Sequence, residues 1–371
     1  MRTALTLCAA ALALATITAP TPARAMFVGE DWTPSPTQVA TLVAPLEGEE
    51  RLSQSVSTIF DFQIWQTLDP AVSGNRAALN GLIGWNDRWP TPVDTRSAIS
   101  LARERSGQLI VWGRVQRYGD EVLALPRLSL APTDSDIRRV RPEIWTITMG
   151  DQSVSLDVPR VTFNLGVVRL SREFVAGFSD PSALRLCRER GGVCDGPPVG
   201  HQFIALRQEG EWSRVILPHE GEGWVRVPPI TKAPGMVGGF VGGMIAYFRG
   251  DFIHAGDQFE AALASGGLGP PEELDATALV VSARARSGRD TAALRGRMLE
   301  LDPYSAYAAK VAVMERLEAA ARAADPAVRR AVAKDAAALL EARADLFGAS
   351  DPWPAAAKAV IERAEGSPAT P

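Results

Sequence analysis

The side chains that most often carry chemistry are few in this 371-residue chain: His201, His219, His254, Cys8, Cys187 and Cys194. None of the histidines stands in an HExxH pattern, so the two-histidine helix of a metalloprotease is absent. There is no GxSxG elbow, no SxxK and no GxxxxGK[ST] phosphate loop. Cys187 and Cys194 flank a turn-rich Arg-Glu-Arg-Gly-Gly-Val, and they are the pair that remains once a leader carrying Cys8 is removed. An even count in an exported chain reads as one disulfide. A metal site shared with His201 and His219 is the competing reading, and the cysteine spacing fits no common zinc pattern. A bridged cysteine is no resting nucleophile, which argues against a hydrolase built on Cys194 and His201.

The remaining charged groups read as structural. Glu49/Glu50 and Glu272/Glu273 are adjacent in sequence, so each pair points to different faces and suits a solvated helix start. Arg138, Arg139 and Arg141 read as solvated loop charge before they read as an anion site. Asp251 follows Gly250 where a helix begins, and capping explains it. No catalytic residue, metal ligand or cofactor is expected.

The expected compartment is outside the cytoplasm, periplasmic or secreted. Arg2, the apolar run Leu5 to Ile17 and the small-x-small Ala23-Arg24-Ala25 form a signal peptide over residues 1–25. Cys8 lies inside that apolar run, too early for a lipid-anchored cysteine. The apolar stretch Gly235 to Phe248 is too short to cross a membrane, which takes about 20 residues, so no transmembrane span is expected. A formal net charge of −4 gives no basic surface for nucleic acid. Lysine is scarce and arginine supplies nearly all the positive charge.

Hydrophobic periodicity places the elements that must position any site. Thr37 to Leu46 reads as a first strand. Leu52, Val56, Ile59, Phe60, Ile64 and Leu68 form a helical stripe over Gly48 to Leu68. Asn75 to Pro92 reads as a loop whose Trp85 and Trp89 cap a core before they bind a ligand. Asp94 caps a helix that stops at Gly107, and Leu109 to Leu130 forms a hairpin about Gly119-Asp120. Glu143 to Met149, Ser153 to Val158 and Val161 to Phe178 alternate as an antiparallel extension, with Trp145 in a core. That extension is expected to pack on the first domain or to bridge it to a small barrel. The barrel is read from His201 to Leu206, Trp212 to Leu217 and Gly223 to Val227, which have the spacing of its strands. From Gly235 onward the pattern is helical, with Gly243 and Ala255 as small residues at a helix crossing. Helices are expected over Leu274 to Ala285, around Tyr307 to Leu317, from Asp325-Pro326 and from Ser350-Asp351-Pro352.

These residues carry three resemblances. The segment with Leu109-Ile-Val-Trp-Gly-Arg-Val and Gly119-Asp120 resembles the small α/β domain of exported curli-secretion and Tol-system proteins. That likeness implies an assembly module and not a catalytic one. The stretch Leu184 to Val227, with Gly210-Glu-Trp-Ser-Arg-Val and Gly223-Trp224-Val225, resembles the bacterial SH3-like domain. Its relatives bind cell-wall peptides or proteins through an aromatic-lined groove, which makes Phe203, Trp212 and Trp224 the candidate ligand-binding residues. In this chain the cysteine loop falls where some relatives keep an open ligand edge, and Trp212 and Trp224 also serve a tiny core. The helical part resembles tetratricopeptide-like repeats, which present a concave protein-binding surface.

The expected fold class is a multidomain α+β chain. It comprises an α/β domain over 26–134, a β-rich extension over 135–180, an SH3-like barrel over 181–230 and a helical domain over 231–371. The expected function is an exported cell-envelope scaffold or adaptor that binds envelope proteins without catalysis. A peptidoglycan-binding module using the barrel is the alternative, and an enzyme assembled across the first two regions ranks behind both.

Overall fold

A computed structural model describes residues 39–68, 81–85, 89–132, 143–157, 161–178, 184–197, 204–217, 221–232 and 234–366. The leader, Arg138, Arg139, Arg141, His201, Phe203 and His219 lie outside the described residues. The architecture is mixed α and β. In the amino-terminal half, β1 (Val39–Val43) and α1 (Glu50–Leu68) are followed by β2 (Gly81–Trp85) and α2 (Thr95–Glu104). The hairpin of β3 (Leu109–Tyr118) and β4 (Glu121–Leu130) comes next. Then come β5 (Glu143–Met149), β6 (Gln152–Asp157), β7 (Thr162–Asn164), β8 (Val168–Ser171) and α3 (Arg172–Ala176).

One sheet runs in the order β2-β1-β3-β4, with β7 and β8 sharing the far edge of β4. β1 is parallel to both β2 and β3, and the other pairings are antiparallel. Pro126 has no N–H to give, and it falls in the gap between the stretch of β4 that pairs with β7 and the stretch that pairs with β8. Opposite it stands Gly113, with φ +146°, where an added Cβ would lie 2.1 Å from the Leu125 carbonyl oxygen. Helix α2, capped by the Asp94 side chain accepting from the Ser97 N–H, covers one face of the sheet. Leu42, Ile110 and Trp112 meet Ala98, Leu101 and Ala102 there, with Trp89 in the same cluster. Trp112 keeps its indole N–H satisfied by donating to Ser129 Oγ at 2.9 Å.

Two sequence expectations need correction here. Residues 81–85 form an edge strand within the stretch expected to be loop, because a parallel neighbour supplies the hydrogen bonds that glycine-rich β2 could not recruit alone. Residues 161–178 extend the first sheet antiparallel only over β7 and β8, and then turn into α3, capped by Ser171 Oγ accepting from the Phe174 N–H.

α1 occupies the centre of the molecule. Its apolar residues Val56, Ile59, Phe60 and Ile64 are fully buried, and Ser57, Thr58 and Asp61 are buried too. A helix buried on all sides needs internal partners for its hydroxyls: Ser55 and Thr58 donate back to the Arg51 and Gln54 carbonyls at 2.8 Å. The three-stranded sheet of β9 (Ile204–Glu209), β10 (Trp212–Leu217) and β11 (Gly221–Arg226) meets α1 through β9. Gln66 of α1 donates to Gln208 Oε1 of β9 at 2.9 Å, and Gln208 in turn donates to Pro228 O and accepts from the Ile230 N–H. That chain of amides fixes α1, β9 and the segment after β11 in one register.

The carboxy-terminal half is helical: α4 (Met236–Phe248), α5 (Phe252–Ala264), α6 (Pro270–Arg286), α7 (Ala292–Leu301), α8 (Ala306–Arg322), α9 (Pro326–Ala342) and α10 (Trp353–Glu365). All thirteen residues of α4 are buried. Glycines at its two flanks explain how. A Cβ on Gly238 or Gly242 would come within 2.6 Å of Thr67 of α1, and one on Gly243 would come within 2.5 Å of Phe259 of α5. α4 is therefore the joint between the halves, and a single apolar cluster runs from the large sheet through α1, β10 and β11 to α4, α5 and α6.

The hairpin β5–β6 does not pack on the first sheet or bridge it to β9–β11. It buries Ile147, Met149, Val154 and Leu156 against α6, α8 and α10 in a second core. Trp145 is half-buried at the rim of that core, under the Arg295 guanidinium at 4.4 Å. The apolar alternation of the hairpin was legible; which partner it served was not.

Candidate functional site

Strand alternation divides β9–β11 into two faces. Ala205, Ser213, Val215, Leu217, Gly223 and Val225 are buried toward α1 and the main core. The other face is set by the register: Arg214 lies opposite both Arg207 and Trp224, and Trp212 lies opposite both Glu209 and Arg226. Trp212 and Trp224 therefore share the outward face as diagonal neighbours on adjacent strands, each half-buried. This corrects the expectation that both tryptophans are spent on the core. Small inward residues suffice because the inner side joins the main apolar cluster, with α1 against β9 and Leu186 over Gly223, so the apolar area that an isolated barrel draws from tryptophan comes from the rest of the core.

Charge surrounds the two rings in matched pairs. Arg207 reaches Glu209 at 2.8 Å, Arg214 reaches Glu222 at 2.7 Å and Arg226 reaches Glu211 at 2.7 Å. The Arg207 guanidinium also lies over the Trp224 ring, 6.0 Å from its centre. Each exposed pair contributes little to stability, about 0–1 kcal/mol. Their effect is to orient the guanidinium groups and to leave the face without a strong net field.

Cys187 and Cys194 are bonded, with their Cα atoms 4.0 Å apart. The backbone of Cys187 exchanges two hydrogen bonds with Trp224, its N–H donating to Trp224 O at 2.7 Å and its carbonyl accepting at 2.8 Å. The cysteine segment thus takes the open edge of β11, where a fourth strand would lie. From the loop, Arg190 reaches Glu209 at 2.6 Å. The loop covers the strand edge and leaves both tryptophans half-buried.

Beyond Arg226 the face runs into a hollow of about 390 Å³ between α3 and the end of β11. Phe174, Val227, Pro228 and Pro229 supply its apolar walls, and Glu173 and Glu211 its acidic ones. A second hollow of about 460 Å³ lies on the other side of α3, where Arg51, Arg117 and Arg172 meet an apolar floor of Leu52, Val122 and Val175. Arg117 is committed to Glu49 at 2.7 Å.

The residues weighed for catalysis fall elsewhere. His254 Nδ1 pairs with Asp251 Oδ2 at 2.7 Å, and Asp251 also accepts the His254 N–H, so the pair is the first turn of α5 capping itself. Glu272 and Glu273 sit in the first turn of α6, with Glu273 bound to Arg297 at 2.9 Å. Asp61 is the titratable group that sequence reasoning passed over. Burial in α1 pushes its carboxyl well above the usual 3.8. Its only sequence signal is an acid inside Ile59-Phe60-Asp61-Phe62-Gln63-Ile64.

No helix among the described residues is long and apolar enough to cross a membrane. Comparison with protein-family models, with curated proteins and with solved structures finds no match to this chain.

Proposed function

We propose that the chain is an exported adaptor of the cell envelope that binds protein partners through the outward face of β9–β11 and carries out no catalysis. The observation that supports this reading is the placement of Trp212 and Trp224 on one outward face, diagonal to each other on adjacent strands and each half-buried. Tryptophan and arginine dominate the energetic centres of protein interfaces, because each offers a large contact area with a polar handle. Here they come with a charge-matched rim and an adjoining hollow with apolar and acidic walls. The Cys187–Cys194 bond suits an oxidising compartment and holds the edge of the face in place.

The SH3-like and tetratricopeptide-like resemblances belong to this proposal, and so does the compartment. A second reading uses the same two rings: an aromatic platform also suits stacking on the glycan or stem peptide of peptidoglycan.

The test is the double variant Trp212→Ala/Trp224→Ala. Neither side chain belongs to an apolar core cluster, and each substitution is expected to cost the folded state about 0.5–3 kcal/mol. Cross-linked complexes recovered with the wild-type protein from envelope extract are expected to be missing with the variant. Complexes retained by a folded variant would refute the face as the recognition surface. Co-sedimentation of the wild-type protein with purified sacculi, lost in the variant, would favour the peptidoglycan reading instead.

A further inference from the structure

The hairpin β5–β6 is an excursion. β4 leaves the large sheet at Leu130, and β7 returns to pair with β4 at Thr162. The intervening strands form a sheet of two that pairs with no other strand among the described residues. Their inward side chains Ile147, Met149, Val154 and Leu156 are buried only against helices, while Thr146, Thr148 and Ser153 face outward and are exposed. The chain thus throws an amphipathic arm out of its amino-terminal half and seats it on the helical half.

The seat has a consistent geometry. Alternate helices of the series face the amino-terminal half: α4 lies on α1, α6 and α8 lie on β5, and α10 lies on β6. Two aromatic side chains bind the outer edge of β6 as a further strand would. Trp353 Nε1 donates to Ser155 O at 2.9 Å, and Tyr307 Oη donates to Asp157 O at 3.0 Å. Arg295 lies over Trp145 and also bridges to Glu318 of α8 at 3.0 Å. These contacts read the backbone edge and the alternate apolar side chains of a hairpin, the two features that strand recognition uses.

We infer that the inner face of α6, α8 and α10 is a receptor for an amphipathic β-hairpin, and that β5–β6 is its resident, intramolecular ligand. The arm occupies the surface that a helical stack otherwise offers to partners. A covalently linked ligand acts at an effective concentration on the order of millimolar, so a free hairpin at micromolar concentration cannot displace it. Once the arm is disabled in cis, the same hairpin binds in trans.

The experiment uses the full chain carrying Val154→Asp and Leu156→Asp, two residues buried to 1% and 2% exposure in the seat. The probe is a fluorescent, backbone-cyclised peptide of residues 143–157, cyclised because an isolated two-stranded hairpin is marginal in water. The variant is expected to bind the probe at least about ten-fold more tightly than the wild-type protein does. A folded variant with intact helical circular dichroism and no gain in binding overturns the inference. If the variant does not fold, amide exchange in the wild-type protein decides: exchange over 145–156 ahead of α8 and α10 supports a separable ligand, and exchange in step with them overturns it.

Discussion

Asp61 shows how much a single residue depends on what covers it. The stripe of Val56, Ile59, Phe60 and Ile64 implies one buried face for α1, which leaves Asp61 to solvent. In the structure α4 and the β9–β11 sheet cover what the large sheet does not, and Asp61 is 5% exposed. The carboxyl keeps its proton to a higher pH in the folded state than in the unfolded chain, where it titrates near 3.8. The unfolded state therefore binds fewer protons once the pH exceeds that value, and stability falls as pH rises. Asp61→Asn keeps the shape and removes the charge. Its stability advantage over the wild-type protein is expected to vanish in acid and to grow as pH rises above 3.8. Urea midpoints between about pH 3 and pH 8 check this, and a pH-independent difference would count against it. Trp212 and Trp224 carry the same lesson in the opposite direction. Their types and spacing marked them as the residues to watch, yet the choice between core and surface turned on the main apolar cluster, whose α1 residues lie more than a hundred residues away in the chain.

At the scale of elements, α4 decides the most. Its sequence Met236-Val-Gly-Gly-Phe-Val-Gly-Gly-Met-Ile-Ala-Tyr-Phe248 is poor in helix propensity, since glycine in a helix interior costs roughly 0.5–1 kcal/mol relative to alanine. Packing offsets that cost, because the missing side chains let α1 and α5 approach from two directions. Gly242→Val drives methyl groups into Thr67 and is expected to destabilise the protein by about 1–3 kcal/mol. Gly296 of α7 has nothing within 4 Å of an added Cβ, and Gly296→Ala is expected to stabilise by about 0.5–1 kcal/mol. Thermal or urea unfolding of the two variants separates packing glycines from incidental ones; equal effects would refute the distinction. Helix starts were read well from sequence, because a cap is local chemistry: Asp94, Asp251 and Asp325 each accept a backbone N–H in the first turn. β2 was not, because a five-residue strand with two glycines has no periodicity of its own and exists only beside β1.

For the whole molecule, the apolar core and the sequence segments do not share boundaries. The main cluster passes from β1 and β3 through Phe174, Val215 and Val225 to Phe240, Phe259 and Leu279. A fragment ending at Pro234 would leave α1 without α4, and it is expected to show no cooperative unfolding transition. A sharp transition in near-ultraviolet circular dichroism would show that the amino-terminal half folds alone. The amino-acid sequence by itself determined what is set within a few residues: helix caps, the β3–β4 hairpin, the alternation of β5 and β6, the cysteine pair and the candidate tryptophans. Tertiary structure decided which surface each pattern meets. It turned Trp212 and Trp224 outward because the main apolar cluster fills the inner side of β9–β11, and it seated β5–β6 on the helices instead of the first sheet. The physical reason is that periodicity records which side chains are apolar and carries no address for the surface that buries them; that address is set by contacts between residues far apart in the chain.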